Sequence, residues 1–177
     1  MPELPEVETV RSGLAKSITG ATVTGLKIHD ARSVKKHLSG IGDFKQKLLG
    51  TKILDVIRRG KFLWLPIEGE ATALVGHLGM SGQMLVRTPD YPEDKLNRVT
   101  IEFETRSGKP LELRFVDQRI FGSLAIDDLV QTRDGGVGGF SAGKNNSKPW
   151  QNLIPVSAQH IARDPLDDAF DIDAVVA

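Results

Sequence analysis

Apolar residues recur at helical spacing near the start of the chain and then switch to the period of strands. Val7, Val10, Leu14, Ala15 and Ile18 are three or four positions apart, which predicts an amphipathic helix from Glu6 to about Ile18, stopped at Gly20. Thr22–His29 alternates and is β-branched, as a strand is. Asp30–Gly42 is polar and reads as a loop, and Phe44–Leu49 as a short helix ending at Gly50. Strand signals then dominate: Lys52–Arg58, Lys61–Ile67, Thr72–Gly76, Gln83–Arg87, Arg98–Thr105, Leu111–Val116 and Gly122–Ile126. Turn-forming runs such as Glu68–Glu70 and Arg106–Pro110 separate them. Successive short antiparallel strands predict a mainly β fold with flanking helices, an antiparallel β-sandwich with the N-terminal α-helix packed on it.

The pattern fades after residue 133. Asp134–Pro149 is rich in Gly, Ser, Asn and Lys and predicts a loop or linker. Gly138–Asn145 approaches a phosphate-cradling loop, but Asn145 stands where a magnesium-binding hydroxyl is needed. Asp164 and Pro165 fit a helix N-cap and first turn. The expected organisation is therefore a β-sandwich domain over 1–133, a loop and linker over 134–163, and the opening of a second, truncated domain over 164–177.

Composition narrows the chemistry. With 177 residues the chain can bury a sizeable core. It has 23 basic and 23 acidic side chains, so its balance by itself does not advertise nucleic acid, membrane or an acidic substrate. It has no cysteine, which excludes disulfides and thiolate metal sites built from these residues. No apolar run approaches the ~20 residues of a membrane helix, and the acidic N-terminus is unlike a secretory signal.

Four stretches could carry a reaction. If Met1 is removed, Pro2 becomes a secondary amine, and an α-amino group titrates near ~8. Attack on an aldehyde-like carbon would give an iminium, a ready electron sink, with the Glu3 carboxyl beside it for proton transfer. The same residues also fit a plain helix start. Arg58, Arg59 and Lys61 surround Gly60 at a turn, which suits either a phosphate or solvent. Gly76–Gln83 holds three glycines around His77, Met80 and Ser81. Met80 on such a loop can wedge into a base stack or turn into the core. Arg119 and Phe121 alternate along Asp117–Gly122, so an extended segment would put a base-reading fork and a stacking ring on one face. Together these make an inventory for extruding and excising a base.

The order of these motifs resembles that of the bacterial formamidopyrimidine-DNA glycosylases, which act as glycosylase and AP lyase. The match runs through Pro2–Thr9, Arg58–Lys61, His77–Gly82, Asp117–Gly122 and Asp164–Leu166. The resemblance implies that Pro2 attacks deoxyribose C1′ and that Glu3 is the acid–base partner. It implies that Glu6 helps to order the site, that Lys61 contacts a phosphate and assists β-elimination, and that His77 contacts the backbone. Met80, Arg119 and Phe121 would fill the void left by an everted base, with Arg98 a nearby DNA contact. Ile120 replaces a frequent second arginine and Leu96 a frequent histidine. The implied substrate is duplex DNA carrying oxidised purines, handled by a cytoplasmic, nucleoid-associated monomer. The implied cofactor is none in these residues, because the family's structural zinc sits in a C-terminal finger. Two expectations follow: a base-excision enzyme, or a folded fragment that binds DNA weakly without the helix–two-turn–helix and zinc-finger parts. A tautomerase using Pro2 as a base is a distant third, opposed by the downstream motifs.

Overall fold

The structure, a computed structural model, describes residues 4–60, 62–139 and 149–159. Helix α1 spans Leu4–Ile18 and ends at Gly20, whose φ of 83° suits glycine. It buries Val7, Leu14 and Ile18. Among the described residues nine strands follow: β1 Thr22–Ile28, β2 Ile57–Arg59, β3 Phe62–Ile67, β4 Thr72–His77, β5 Gly82–Arg87, β6 Asn97–Glu104, β7 Pro110–Asp117, β8 Ser123–Gln131 and β9 Leu153–Pro155. Helix α2, Gly40–Leu48, lies between β1 and β2 and buries Phe44 and Leu48.

All pairings are antiparallel, in a four-stranded sheet ordered β1-β6-β7-β5 and a five-stranded sheet ordered β2-β3-β4-β8-β9. Leu63, Leu65 and Leu74 of the larger sheet meet Ile101, Phe103, Leu113 and Phe115 of the smaller, and α1 and α2 close the same core. Full burial of each such side chain contributes roughly 1.5–3 kcal/mol. This is the predicted β-sandwich with its N-terminal helix. Trp64, Val75, Leu129 and Ile154 form a second cluster, with Trp150 against it.

Four local expectations change. Asp30–Gly42 contains a 3-10 turn at Ala31–Val34 and the start of α2, which opens on glycines that carry little helix signal. Lys52–Arg58 is a strand only from Ile57; before it there are single bridges at Lys52 and Ile53. β8 runs on to Gln131 through the acidic pair Asp127 and Asp128, which broke the apolar alternation. The linker predicted from residue 134 does not hold for residues 149–159. They supply β9, whose Ile154 is buried, and Trp150 Nε1 donates to Asp55 Oδ2 at 2.9 Å. The predicted domain opening at Asp164 lies outside the described residues, as does most of the Gly138–Asn145 phosphate-loop pattern.

Candidate functional site

Strand register gathers the internal motifs at one end of the sandwich. Phe62 pairs with His77 and His77 with Ser123, so one row crosses β3, β4 and β8. The β2–β3 turn closes just before this row, with Arg59 opposite Phe62 and Gly60 at φ 59°. Two crossovers also meet here. Residues 78–81 carry the chain from β4 to β5, and residues 118–122 carry it back from β7 to β8; Gly82 pairs with Asp117 between them.

The two crossovers touch backbone to backbone. A Cβ on Gly79 would sit 2.7 Å from Gly122 N and 2.8 Å from the Phe121 carbonyl carbon, and Gly79 has a φ of 62°. A Cβ on Gly122 would sit 2.7 Å from His77 O. Glycine is required at both positions for close approach. Between the turns lies Asp117, fully buried. Its Oδ1 accepts from Ser81 Oγ at 2.7 Å and its Oδ2 from Gly122 N at 2.8 Å. Ser81 Oγ in turn accepts from Arg119 N at 3.1 Å. The Asp117 carbonyl accepts from Arg98 Nε at 2.8 Å.

On this braced support, Met80 is 47% exposed and Phe121 56% exposed. Large apolar side chains held open to solvent on rigid turns are a means of inserting into a base stack. Arg119 is exposed next to them. The expected extended segment is instead a bend: Ile120 takes a φ of 56°, rare for a β-branched residue. Arg119 and Phe121 therefore share this end of the molecule through a turn and not through strand alternation. His77 Nδ1 accepts from Gly79 N at 3.0 Å, which places the proton of the neutral ring on Nε2, a donor suited to a phosphate oxygen. Its ring stands edge-on to Phe62, with centroids 5.0 Å apart. A groove of about 520 Å³ runs beside it, lined by Phe62, Val75 and Ala125, with Lys36 and Asp127 at its sides.

A second polar hub anchors α1. Glu8 Oε1 accepts from Arg11 Nε at 2.8 Å and from Arg58 Nε at 2.9 Å, while Oε2 accepts from Arg11 Nη2 at 2.7 Å. Arg11 Nη1 also donates to Val56 O. Burial raises the Glu8 carboxyl, but hydrogen bonds and charge from Arg11 and Arg58 outweigh it and hold the group below its ordinary value. These contacts pin the helix that follows Pro2 to β2. Glu6 lies exposed in the first turn of that helix.

One expected contact is corrected, and another has an internal partner. Arg58 does not face solvent or a phosphate; it is fully buried against Glu8. Arg98 is largely buried and turned to the Asp117 carbonyl, so it supports the crossover from inside. Pro2, Glu3 and Lys61 lie outside the described residues. Sequence reasoning missed the roles of Glu8, Ser81 and Asp117. The signal available for the last two was small and acidic residues set among obligatory glycines.

The family model for the formamidopyrimidine-DNA glycosylase N-terminal domain matches residues 1–124. The chain belongs to the formamidopyrimidine-DNA glycosylase family. It is 46% identical to the formamidopyrimidine-DNA glycosylase of Leifsonia xyli over 100% of this chain and 58% of that protein. It is 47% identical to that of Kineococcus radiotolerans, over 100% of this chain and 57% of that protein. Among solved structures it resembles Lactococcus lactis Fpg in complex with DNA containing an abasic site. The TM-score is 0.63 at 35% identity, over 72% of this chain and 44% of that one. It also resembles MutM in complex with DNA containing carbocyclic 8-oxo-G, with a TM-score of 0.62 at 37% identity, over 71% of this chain and 44% of that one. The chain thus spans little more than half the length of the curated family members it matches. The family's four-cysteine zinc site does not fit the residues present: the chain has no cysteine, and among the described residues no cluster of His, Asp and Glu could hold a metal. No helix among the described residues is long and apolar enough to cross a membrane.

Proposed function

We propose that this chain carries the reaction chemistry of a base-excision DNA glycosylase and AP lyase acting on oxidised purines, including 8-oxoguanine and formamidopyrimidines, in duplex DNA. The observation that carries the reading is the pair of exposed apolar side chains, Met80 and Phe121, on crossovers locked together beside His77. An enzyme acting on a base must take it out of the stack and fill the hole. Met80, Phe121 and Arg119 supply the filling groups, with Arg119 facing the orphaned base. His77 and Lys61 hold backbone phosphates, and Glu6 helps to order the site.

In the proposed reaction, the Pro2 nitrogen attacks C1′ and forms a C–N bond as the bond from C1′ to the damaged base breaks; the base leaves with the bonding pair and takes up the proton that the amine gives up. Glu3 protonates the opening sugar oxygen, and the resulting iminium acidifies the C2′ proton. Loss of that proton expels the 3′ phosphate by β-elimination, with Lys61 near the phosphate. The α1 anchor at Glu8 serves this step by fixing the helix that follows the nucleophile. The proposed setting is cytoplasmic and monomeric, at the nucleoid.

Borohydride trapping on an 8-oxoguanine duplex tests the reading. Chain whose mass shows Met1 removed is expected to form a covalent adduct, and the Pro2→Gly variant none. No adduct from the processed chain contradicts it. The zero formal charge favours a second reading, a folded fragment with weak grip. It predicts little turnover and a shallow dependence of DNA affinity on salt, since few phosphates would be neutralised.

A further inference from the structure

We infer that Asp117 is a positioning residue: its buried carboxylate ties the Met80 turn to the Phe121 turn and thereby governs extrusion of a base more than cleavage where no base remains. The inference rests on the proposed void-filling role of Met80 and Phe121.

Asp117 ends β7, opposite Gly82, which opens β5. One carboxylate oxygen takes the Ser81 hydroxyl from the first turn and the other takes the Gly122 amide from the second. The Ser81 oxygen returns the link by accepting the Arg119 amide. A single buried carboxylate thus fixes the residues flanking both exposed wedges, Met80 beside Ser81 and Phe121 beside Gly122. Arg98 holds the carbonyl of the same residue, so the brace is tied to β6 as well. A wedge inserts only if it resists the stack, and the backbone here is permissive: Gly79 precedes Met80, Gly82 follows Ser81 and Gly122 follows Phe121, so the side-chain bridge adds to the hold that the Gly79–His77 bond and the close backbone packing give. Asparagine at 117 keeps an acceptor for the Gly122 amide but turns an uncharged NH₂ group to the Ser81 hydroxyl, so the charge-assisted bond from Ser81 is lost. Removing the Ser81 hydroxyl deletes the bridge without altering the carboxylate.

The test compares Ser81→Ala, Ser81→Thr and Asp117→Asn with the unaltered chain. On a duplex carrying 8-oxoguanine, base release is expected to fall roughly tenfold in Ser81→Ala and Asp117→Asn, as loss of a hydrogen bond to a charged group implies. Nicking of the same duplex carrying a preformed abasic site should fall less than about threefold. Ser81→Thr, which keeps the hydroxyl, should restore base release. Equal loss on both substrates, or no loss on either, overturns the inference. Amide hydrogen exchange without DNA provides the second arm. Arg119 and Gly122 should exchange faster in both Ser81→Ala and Asp117→Asn, while Leu74 and Val75 stay protected. Unchanged exchange at both turns overturns it. If the unaltered chain is inert on both duplexes, the functional reading fails, and the exchange arm still decides whether Asp117 ties the turns. If Asp117→Asn does not fold, Ser81→Ala decides.

Discussion

Glu8 and Asp117 each join two separate parts of the chain, yet they do so with different chemistry. Glu8 joins α1 to β2 through the fully buried Arg58 guanidinium, with Arg11 of its own helix sharing the carboxylate. Asp117 joins two surface turns through a hydroxyl and a backbone amide. Breaking a buried charge pair strands the remaining charges in a poor solvent, so the first hub secures the fold. The second secures a local geometry whose loss leaves the sheets intact. One hub fixes the helix behind the proposed nucleophile, and the other fixes the side chains that would open the DNA.

The sharpest way to break this contrast is Glu8→Ala. It should destabilise the chain by about 3 kcal/mol, because Arg11 and Arg58 stay buried without their shared carboxylate. Thermal unfolding followed by circular dichroism measures it, and a loss within about 0.5 kcal/mol would remove the distinction between the hubs. Gly79→Ala should cost less, about 2 kcal/mol, from the left-handed backbone and the 2.7 Å approach to Gly122. Its consequence should concentrate in the turns, lowering base release more than stability accounts for.

Acid sharpens the contrast further. The Glu8 carboxyl titrates below its ordinary 4.5 in the folded chain, so its stabilisation is complete above about 4.5 and is lost as pH falls through the folded value. Glu8→Gln should therefore flatten the fall in unfolding temperature over that range. Asp30, held at about 2 by its hydrogen bonds to Arg32, Asp43, lowered by its bond to His37, and Asp90, lowered by its bond to Thr88, keep an acid sensitivity of their own. The smallest effect expected is a gain. Ile120→Gly should relieve the positive φ at that position and stabilise by up to about 1 kcal/mol, while slackening the turn between Arg119 and Phe121. Denaturant midpoints would detect the gain.

β3, β4, β6 and β7 lie close to their predicted spans; β3, β4 and β7 are buried along nearly their whole length, so short apolar runs between turn-forming residues marked them, not alternation. β9 was hidden because Leu153–Pro155 is short and gains strand character only by pairing with β8. Site residues were legible by type, as glycines, Met80 and Phe121 stand out in a polar neighbourhood. Their arrangement was not. Arg58 looked like a phosphate ligand because its partner, Glu8, is 50 positions away. The bend at Ile120 is also invisible to alternation, which assumes extended backbone.

The proposed reactive group of the chain is its N-terminal amine. Borohydride-trapped adduct on an 8-oxoguanine duplex, digested and mapped by mass spectrometry, tests it directly. The sugar remnant is expected on the N-terminal peptide, attached at Pro2. Attachment at Lys61 or at any other lysine, with Pro2 unmodified, would contradict it.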